Sequence, residues 1–283
     1  SSANKFFING SPRQRASEIL GNLAAVVFAP EDLDVVRRDP ADRRGFLDQT
    51  AALLKPRIGP LRLDYDRVLK QRNALLKSSR GVKNPDLSTL DIWDDQLVEL
   101  GSQITQARFE LLGLLGPTLQ SFYSELSGST ETIELQLVSL SAQDDLAEID
   151  KDHIASQLRE NLQRNRAQEL ERGITLFGPH RDELLITKAG LLARSHASQG
   201  EAWSLALGLK LAVAAELKDR PGGDPVVILD DVFAVLDPGR RARLVEFVKG
   251  FQQVLVTAAD PAATPELSWD AKFSVSQGEV TRD

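Results

Sequence analysis

Strand-like and helix-like hydrophobic patterns divide the chain into three stretches. Short apolar or alternating runs typical of strands occur at residues 6–8, 23–28, 132–138, 173–177, 183–187, 226–229, 253–257 and 272–276. Apolar residues at steps of three and four, typical of helices, cover residues 40–55, 61–77, 88–115, 146–170, 199–217 and 238–249. The order is therefore sheet, a long helical stretch, and sheet again.

This order predicts an α/β protein with a helical insertion. The strand–helix–strand alternation after Ser198 favours a parallel or mixed sheet covered by helices. The helices predicted over residues 40–55, 61–77 and 88–115 are joined by short polar loops, which favours an antiparallel helical lobe. We expect residues 1–38 and 171–283 to contribute to one α/β core, and residues 39–170 to form the inserted lobe.

Residues 226–237, VVILDDVFAVLD, carry the strongest functional signal. Their continuous apolar run predicts a strand that is buried on both faces. Asp230 and Asp231 follow at its carboxyl end, the edge at which open α/β sheets bind ligands, and carboxylates there are costly unless a cation meets them. The pattern is typical of the Walker B strand of nucleotide hydrolases. The alternative is a buried strand that ends in an Asp-Asp turn.

Composition and charge narrow the possible functions. The chain has no cysteine, which excludes disulfides and thiolate sites, and its three histidines lack the spacing of a metalloprotease-type zinc site. The net charge of −7 argues against a protein that coats nucleic acid indiscriminately, but it is compatible with a local basic patch that binds DNA. No apolar run approaches ~18 residues and no signal peptide is visible, so we expect a cytosolic protein without a membrane span.

Ser198-Gln199-Gly200-Glu201 precedes a strongly helical stretch. A hydroxyl and a small residue at a helix N-terminus form an anion site, because free backbone N–H groups and the positive end of the helix dipole point at it. Taken alone, the same residues also fit a capping box of Ser198 and Glu201. Their position before the Asp230–Asp231 pair, with Asp237 after it, is the motif order of ATP-binding-cassette and SMC-type ATPases.

Longer blocks make the chain resemble the RecF family, the bacterial DNA replication and repair ATPases of that superfamily. The blocks are FAPEDL (Phe28–Leu33), DPADRRGFLD (Asp39–Asp48), QRNALLK (Gln71–Lys77), FGPHRDEL (Phe177–Leu184), SQGEAWSLAL (Ser198–Leu207), ILDDVFAVLD (Ile228–Asp237) and VLVTAA (Val254–Ala259). They occur in the order of the family and span nearly the whole chain. Residues 125–170 resemble the family least.

The resemblance implies a site for ATP and Mg²⁺. It assigns Asp230 to the metal, directly or through water, and Asp231 to catalysis at the attacking water. Asp237 falls in the loop that crosses the dimer interface. Most members of the superfamily have Glu where this chain has Asp231. The shorter acid reaches less far toward water, which is consistent with slow hydrolysis in a timed switch.

The resemblance also implies an ATP-dependent homodimer. Ser198, Gly200 and Glu201 match the signature motif, which in this superfamily binds the γ-phosphate of a nucleotide held by the other subunit. Each subunit would then contribute its acids to one nucleotide and its Ser198 to the other. The activity implied for the full-length protein is a slow, DNA-dependent ATPase.

Two features depart from the superfamily pattern. The chain has no GxxxxGK[ST] loop, which is the main phosphate cradle of such ATPases. Because the family carries this loop near its N-terminus and the chain starts abruptly, we expect the first part of the native protein to lie outside these residues, and the chain alone to bind ATP poorly or not at all. At the end of the 253–257 strand, many cassette ATPases place a His that senses the γ-phosphate, and this chain has Thr257 there.

Two clusters of basic residues are candidates for contact with a phosphate backbone. The first consists of Arg37, Arg38, Arg43 and Arg44, and the second of Lys70, Arg72, Lys77 and Arg80. The alternative is a solvated face paired with nearby acids. His180 and Arg181, in a tight turn, would either contact a partner or complete the turn.

The resemblance implies double-stranded DNA and gap junctions as binding sites, with RecR, RecO and RecA as partners, in replication, recombination, repair and the SOS response. Three alternatives stay open. An SMC-type structural head would need long heptad arms. In a non-catalytic interaction module, the absence of the GxxxxGK[ST] loop would be a genuine property of the whole protein. A nuclease using Asp230, Asp231 and Mg²⁺ would need further acids and a lysine.

Overall fold

The strands and helices follow the predicted order. The computed structural model describes residues 5–13, 23–83, 85–139, 150–218, 220, 223–260, 264 and 268–282. Its strands are β1 (Phe6–Ile8), β2 (Ser11–Arg13), β3 (Ala25–Phe28), β4 (Ile133–Val138), β5 (Glu183–Lys188), β6 (Leu191–Leu192), β7 (Val226–Asp230), β8 (Gln253–Thr257), β9 (Phe273–Ser276) and β10 (Glu279–Arg282). Its α-helices are α1 (Asp34–Arg37), α2 (Pro40–Leu54), α3 (Ile58–Ser79), α4 (Leu90–Ser127), α5 (Lys151–Arg164), α6 (Arg166–Arg172), α7 (Ala193–His196), α8 (Gln199–Lys218) and α9 (Pro238–Val248). The predicted α/β class with a long helical insertion is confirmed.

A parallel sheet, ordered β3-β7-β8, holds the acidic strand at its centre. Alternate side chains of β7, Val227 and Leu229, are buried. Ile228 lies on the opposite face of the sheet. Its partners on that face, Val27 of β3 and Leu255 of β8, are 42% and 46% exposed. The prediction that this strand is buried on both faces is therefore wrong for the part of the chain that is described, because the described helices cover only one face.

Helix α8 covers the packed face of the sheet and joins it to the helical stretch. On one side, the ring of Trp203 lies against Phe28 of β3, with centroids 5.7 Å apart. On another side, Gly208 lets α4 approach so closely that a Cβ at this position would lie 2.9 Å from Leu119. One cluster of buried apolar residues consequently includes members from α4, α8 and the parallel sheet.

Helix α4 continues through Pro117 to Ser127, beyond the predicted helical range of residues 88–115. A proline removes the backbone hydrogen bond to the residue four positions earlier, here Gly113, and Gly113 is exposed, so water can serve its carbonyl. Leu115 and Leu119 on either side are fully buried, and this packing outweighs the cost of the proline. The helix ends at Gly128, which adopts the left-handed conformation that commonly terminates helices. Within the described residues, no helix has the length and apolarity needed to cross a membrane.

Residues 173–177 form a loop, although their apolar pattern predicts a strand. Gly173 ends α6 in a left-handed conformation with a φ of 70°. The next turn is then held by side chains, because the N–H of Thr175 donates to the Asn73 side chain over 2.7 Å. The strand that follows, β5, forms as predicted and pairs antiparallel with β4 and β6.

The helix predicted over residues 146–170 is described as two helices. Helix α5 begins after Asp150, whose carboxylate accepts the N–H of His153 over 2.8 Å. Asn165 then separates α5 from α6. The predicted start of this helix falls within residues 140–149, which lie outside the described residues.

A buried ion cluster fastens α2 and α4 to the turn over residues 178–182. Arg108 of α4 is 1% exposed and donates to Asp48 over 2.6 Å, to Asp182 over 2.8 Å and to the carbonyl of Pro179 over 2.6 Å. The other carboxylate oxygen of Asp182 accepts a hydrogen bond from Ser139 over 2.7 Å. Removing one member would leave a buried charge unpaired, so these segments depend on one another.

His180 lies in the same turn, and both of its ring nitrogens are bonded. Nδ1 lies 2.6 Å from the hydroxyl of Tyr65, and Nε2 lies 3.2 Å from the carbonyl of Thr175. Because a carbonyl can only accept, the neutral tautomer with its hydrogen on Nε2 satisfies both contacts, and the tyrosine donates to Nδ1. Burial is the main cause that lowers the pKa of His180 to about 4, and the adjacent Arg181 adds to it.

We predict that acid weakens the fold through His180. In the unfolded chain its pKa is about 6.5, so the unfolded state takes up a proton below that pH while the folded state resists until about pH 4. Stability is therefore lost as the pH falls from about 6.5 toward 4, by about 3 kcal/mol. Urea unfolding across this interval measures the loss, and the His180→Asn variant, which cannot titrate, should lose less. Superimposable pH profiles of the two proteins would contradict the prediction.

Candidate nucleotide-binding site

Asp230, Asp231 and Thr257 form one group at the carboxyl edge of the parallel sheet. Asp230 ends β7 and pairs in register with Thr257, which ends β8. The hydroxyl of Thr257 donates to Oδ1 of Asp230 and accepts the N–H of Asp231 over 3.1 Å. The carbonyl of Thr257 accepts the same N–H over 3.2 Å. Residues that the sequence suggested separately thus contact one another directly.

The backbone at Asp231 adopts a left-handed conformation, with a φ of 52°. Apart from glycine, Asp and Asn adopt this conformation most readily. The turn sends the following residues, Val232 and Phe233, into the core, where they are 0% and 1% exposed. Asp231 itself stays partly accessible at the edge of the sheet.

The chemistry of the acid pair fits Mg²⁺ accompanied by a nucleotide. Mg²⁺ prefers oxygen ligands and is usually held by one or two carboxylates together with substrate phosphates and waters. Asp230 and Asp231 supply two carboxylates at an accessible sheet edge. Among the described residues, no group of three or more His, Cys, Asp or Glu side chains is placed to hold a metal ion.

The signature residues form a capping box at the N-terminus of α8. The carboxylate of Glu201 accepts the N–H of Ser198 over 2.7 Å, and the hydroxyl of Ser198 accepts the N–H of Glu201 over 3.3 Å. Lys188 of β5 donates to the other oxygen of Glu201 over 3.0 Å. The hydrogen bond from Ser198, followed by Lys188, holds the pKa of Glu201 below its usual range. The simple capping interpretation therefore describes the geometry, and it leaves Ser198 exposed and Gly200 and Glu201 half-buried.

Asp237 and Gly200 are linked by a residue that the sequence interpretation missed, Arg240. Asp237 caps α9 by accepting the N–H of Arg240 over 3.0 Å, which is the main reason why its pKa is lowered. The guanidinium of Arg240 also donates to Asp237 over 3.1 Å. It lies so close to Gly200 that a Cβ there would be 3.0 Å from Nη1. The only signal in the sequence was the Arg240-Arg241 pair directly after the LDPG segment.

The sequence-predicted residues thus fall into two groups, with Asp230, Asp231 and Thr257 in one and Ser198, Gly200, Glu201 and Asp237 in the other. In the part of the chain that is described, no hydrogen bond or ion pair joins the two groups. Within the described residues, the acids and the signature residues therefore have separate sets of hydrogen-bond partners.

The first basic cluster is only partly at the surface. Arg43 is 2% exposed, and it donates to Glu183 over 2.6 Å and to the carbonyl of Arg38 over 2.7 Å. This corrects the prediction that Arg43 contacts DNA, because a buried guanidinium with these partners cannot reach a phosphate backbone. Arg44 is half-buried and donates to the carbonyl of Asp182. Arg37 and Arg38 are exposed.

The second basic cluster needs the same correction at Arg72. This side chain is 0% exposed and donates to Asp94 and Glu169 over 2.6 Å each, and so it joins α3, α4 and α6. Arg72 is therefore a structural residue, and it is not available to contact DNA. Lys70 and Lys77, on the other face of α3, are exposed, as is Arg80 just beyond its end.

Comparisons with known proteins place these residues in context. No protein-family model matches the chain. It is 47% identical over 277 residues to DNA replication and repair protein RecF of Clavibacter michiganensis subsp. michiganensis, covering 92% of this chain and 68% of that protein. It is 42% identical over 285 residues to the RecF protein of Streptomyces avermitilis, covering 99% and 75%.

Two solved RecF structures are also similar to the chain. The chain superposes on the recombination mediator protein RecF-ATP of the RecFOR pathway with a TM-score of 0.85 at 29% identity, covering 98% of this chain and 72% of that one. It superposes on RecF-ATPrS of the same pathway with a TM-score of 0.84 at 28% identity, covering 97% and 71%.

We predict that the left-handed backbone at position 231 discriminates between two neutral replacements. Asp231→Asn and Asp231→Ala both remove the charge, but only Asn adopts this conformation readily. Asp231→Ala should therefore be less stable than Asp231→Asn by about 1 kcal/mol. Urea unfolding of the two variants measures the difference, and equal stabilities would show that the turn carries no such constraint.

Proposed function

Because the chain belongs to the RecF family, we propose that it is an ATP-dependent DNA-binding protein of recombinational repair that dimerises on ATP at gapped or duplex DNA. The observation that carries the proposal is the acid pair Asp230–Asp231 at the carboxyl edge of a parallel sheet. Support for the nucleotide comes from similarity to a solved RecF-ATP structure. Support for the biological role comes from curated relatives described as DNA replication and repair proteins.

In this proposal Asp230 holds Mg²⁺ and Asp231 acts as the catalytic residue that orients the attacking water. When bound, the magnesium nucleotide would supply the bond to be cleaved and a cation that neutralises the developing charge. An ionised Asp231 accepts a hydrogen bond from the water and limits its orientations. The full-length protein would be a slow ATPase stimulated by DNA.

The signature residues would serve the nucleotide of a second subunit. Ser198, Gly200 and Glu201 form a partly exposed helix N-terminus that has no hydrogen bond or ion pair with Asp230 or Asp231 among the described residues. A second copy would bring that helix end to the nucleotide, where backbone N–H groups and the helix dipole favour phosphate. Asp237, held beside Gly200 by Arg240, would lie at the same interface.

The partners and organisation also belong to this proposal. We propose that residues 1–38 and 171–283 form parts of one ATPase core, which the parallel pairing of β3 with β7 supports. Residues 39–170 would form the inserted, mainly helical lobe, whose strand β4 pairs with β5 of the core. The protein would act in the cytoplasm with RecO and RecR to load RecA at gaps, in recombination and the SOS response.

We predict that the Ser198→Arg variant abolishes the ATP-stimulated part of DNA binding by the full-length protein. A bulky cation at the end of α8 would block the approach of a second subunit's nucleotide, while leaving the acids of its own chain unaltered. DNA binding is measured with and without ATP for the wild type, Ser198→Arg, and the control Ser121→Arg, an exposed serine on α4. Equal stimulation by ATP in all three proteins would refute the role of the signature in a second subunit.

We also predict that Lys70, Lys77 and Arg80 contact the DNA backbone. Among the described residues no ion pair engages these exposed cations, and Asp66, four residues before Lys70 on α3, is paired with Arg62. Replacing all three by Gln should flatten the slope of log affinity against log salt by about 0.9 per lost phosphate contact. The matched control replaces the half-buried Lys151 and the exposed Arg159 and Arg164, cations that are already paired with Glu99, Asp95 and Glu160. The same slope in both triple variants would contradict this assignment.

A further inference from the structure

The side chain of Thr257 forms hydrogen bonds with both acids, Asp230 and Asp231. The in-register pairing of β7 and β8 puts it directly beside Asp230. Its hydroxyl uses both of its functions there, since it donates to Oδ1 of Asp230 and accepts the N–H of Asp231 over 3.1 Å. No other side chain among the described residues has a hydrogen bond to both.

We infer that Thr257 is a positioning residue that fixes the geometry of the acid pair before nucleotide binds. The inference rests on the proposed function and deepens it. With Oδ1 of Asp230 engaged by the hydroxyl, the carboxylate is restricted to one rotamer and its second oxygen remains for a cation. Asp231 is held in its left-handed turn because its N–H bonds both this hydroxyl, over 3.1 Å, and the carbonyl of Thr257, over 3.2 Å.

The neutrality of Thr257 matters as much as its position. A cationic side chain at this point would pair with the carboxylates and reduce the negative charge available to Mg²⁺. A hydroxyl orients Asp230 without cancelling its charge, and hydrogen bonds of this kind to metal-ligating carboxylates tune metal affinity strongly. Thr257 therefore prepares the acids for a metal.

The hydroxyl is not needed to hold the fold together. Asp230 and Thr257 are both exposed, so water can replace the hydroxyl as a hydrogen-bonding partner when it is removed. Valine has the shape of threonine and a high preference for strands, so Thr257→Val should fold normally. An effect of this variant on the metal site would consequently reflect lost positioning.

The test compares Thr257→Val and Thr257→Ser with the wild type in the full-length protein. Without nucleotide, amide hydrogen exchange at Asp231 should be faster in Thr257→Val and restored in Thr257→Ser. With ATP, electron paramagnetic resonance measures Mn²⁺ binding, and steady-state kinetics give the Mg²⁺ concentration at half-maximal turnover. In Thr257→Val, the affinity for Mn²⁺ should fall by about tenfold or more, and the Mg²⁺ concentration at half-maximal turnover should rise by a similar factor. The serine variant, which keeps the hydroxyl, should recover them.

Two results would overturn the inference. One is unchanged Mn²⁺ binding and Mg²⁺ dependence in Thr257→Val. The other is a serine variant as impaired as the valine variant, since the hydroxyl would then not be responsible. A wild-type protein that neither binds Mn²⁺ with ATP nor hydrolyses ATP would refute the proposed function instead. The exchange comparison needs no nucleotide and would still decide whether Thr257 holds the acids.

Discussion

A guanidinium inside a protein must be fully paired, and much of this fold follows from meeting that requirement at Arg108. Its partners come from α2 and from the turn over residues 178–182, while Arg108 itself is on α4. Since each partner would be an unpaired buried group without the others, the three segments are expected to assemble together. The turn continues into β5, and α4 packs against α8. The ion cluster therefore helps to set where α8 presents Ser198.

Buried arginines also change how the charge of the chain is interpreted. Arg43, Arg72 and Arg108 each hold carboxylates from other segments, so a share of the positive charge is used inside the fold. The positive charge that can contact a nucleic acid is therefore limited to a smaller set of exposed cations, including Lys70 and Lys77. A net charge of −7 is then compatible with a confined surface for nucleic acid, because the cations and acids are not evenly distributed.

The sequence predicted most elements and the acid pair because their signals are local. The apolar run before Asp230 and the Ser198–Glu201 spacing each lie within one strand or one helix end. What it missed depends on residues distant in the chain. The burial of Arg72 requires Glu169 of α6, and the continuation of α4 through Pro117 requires packing against α8. Likewise, the hydroxyl of Thr257 gains a role only because strand pairing brings it to Asp230.

The left-handed backbone at Asp231 restricts which acid can occupy this position. A longer carboxylate is not a simple extension of the shorter one here, because Glu adopts this conformation less readily than Asp does. Exchange between the two acids would thus require the strand end to change its path as well. The length of the acid at position 231 and the course of the main chain are therefore coupled. A substitution that lengthens the side chain without changing the backbone would alter only one of the two.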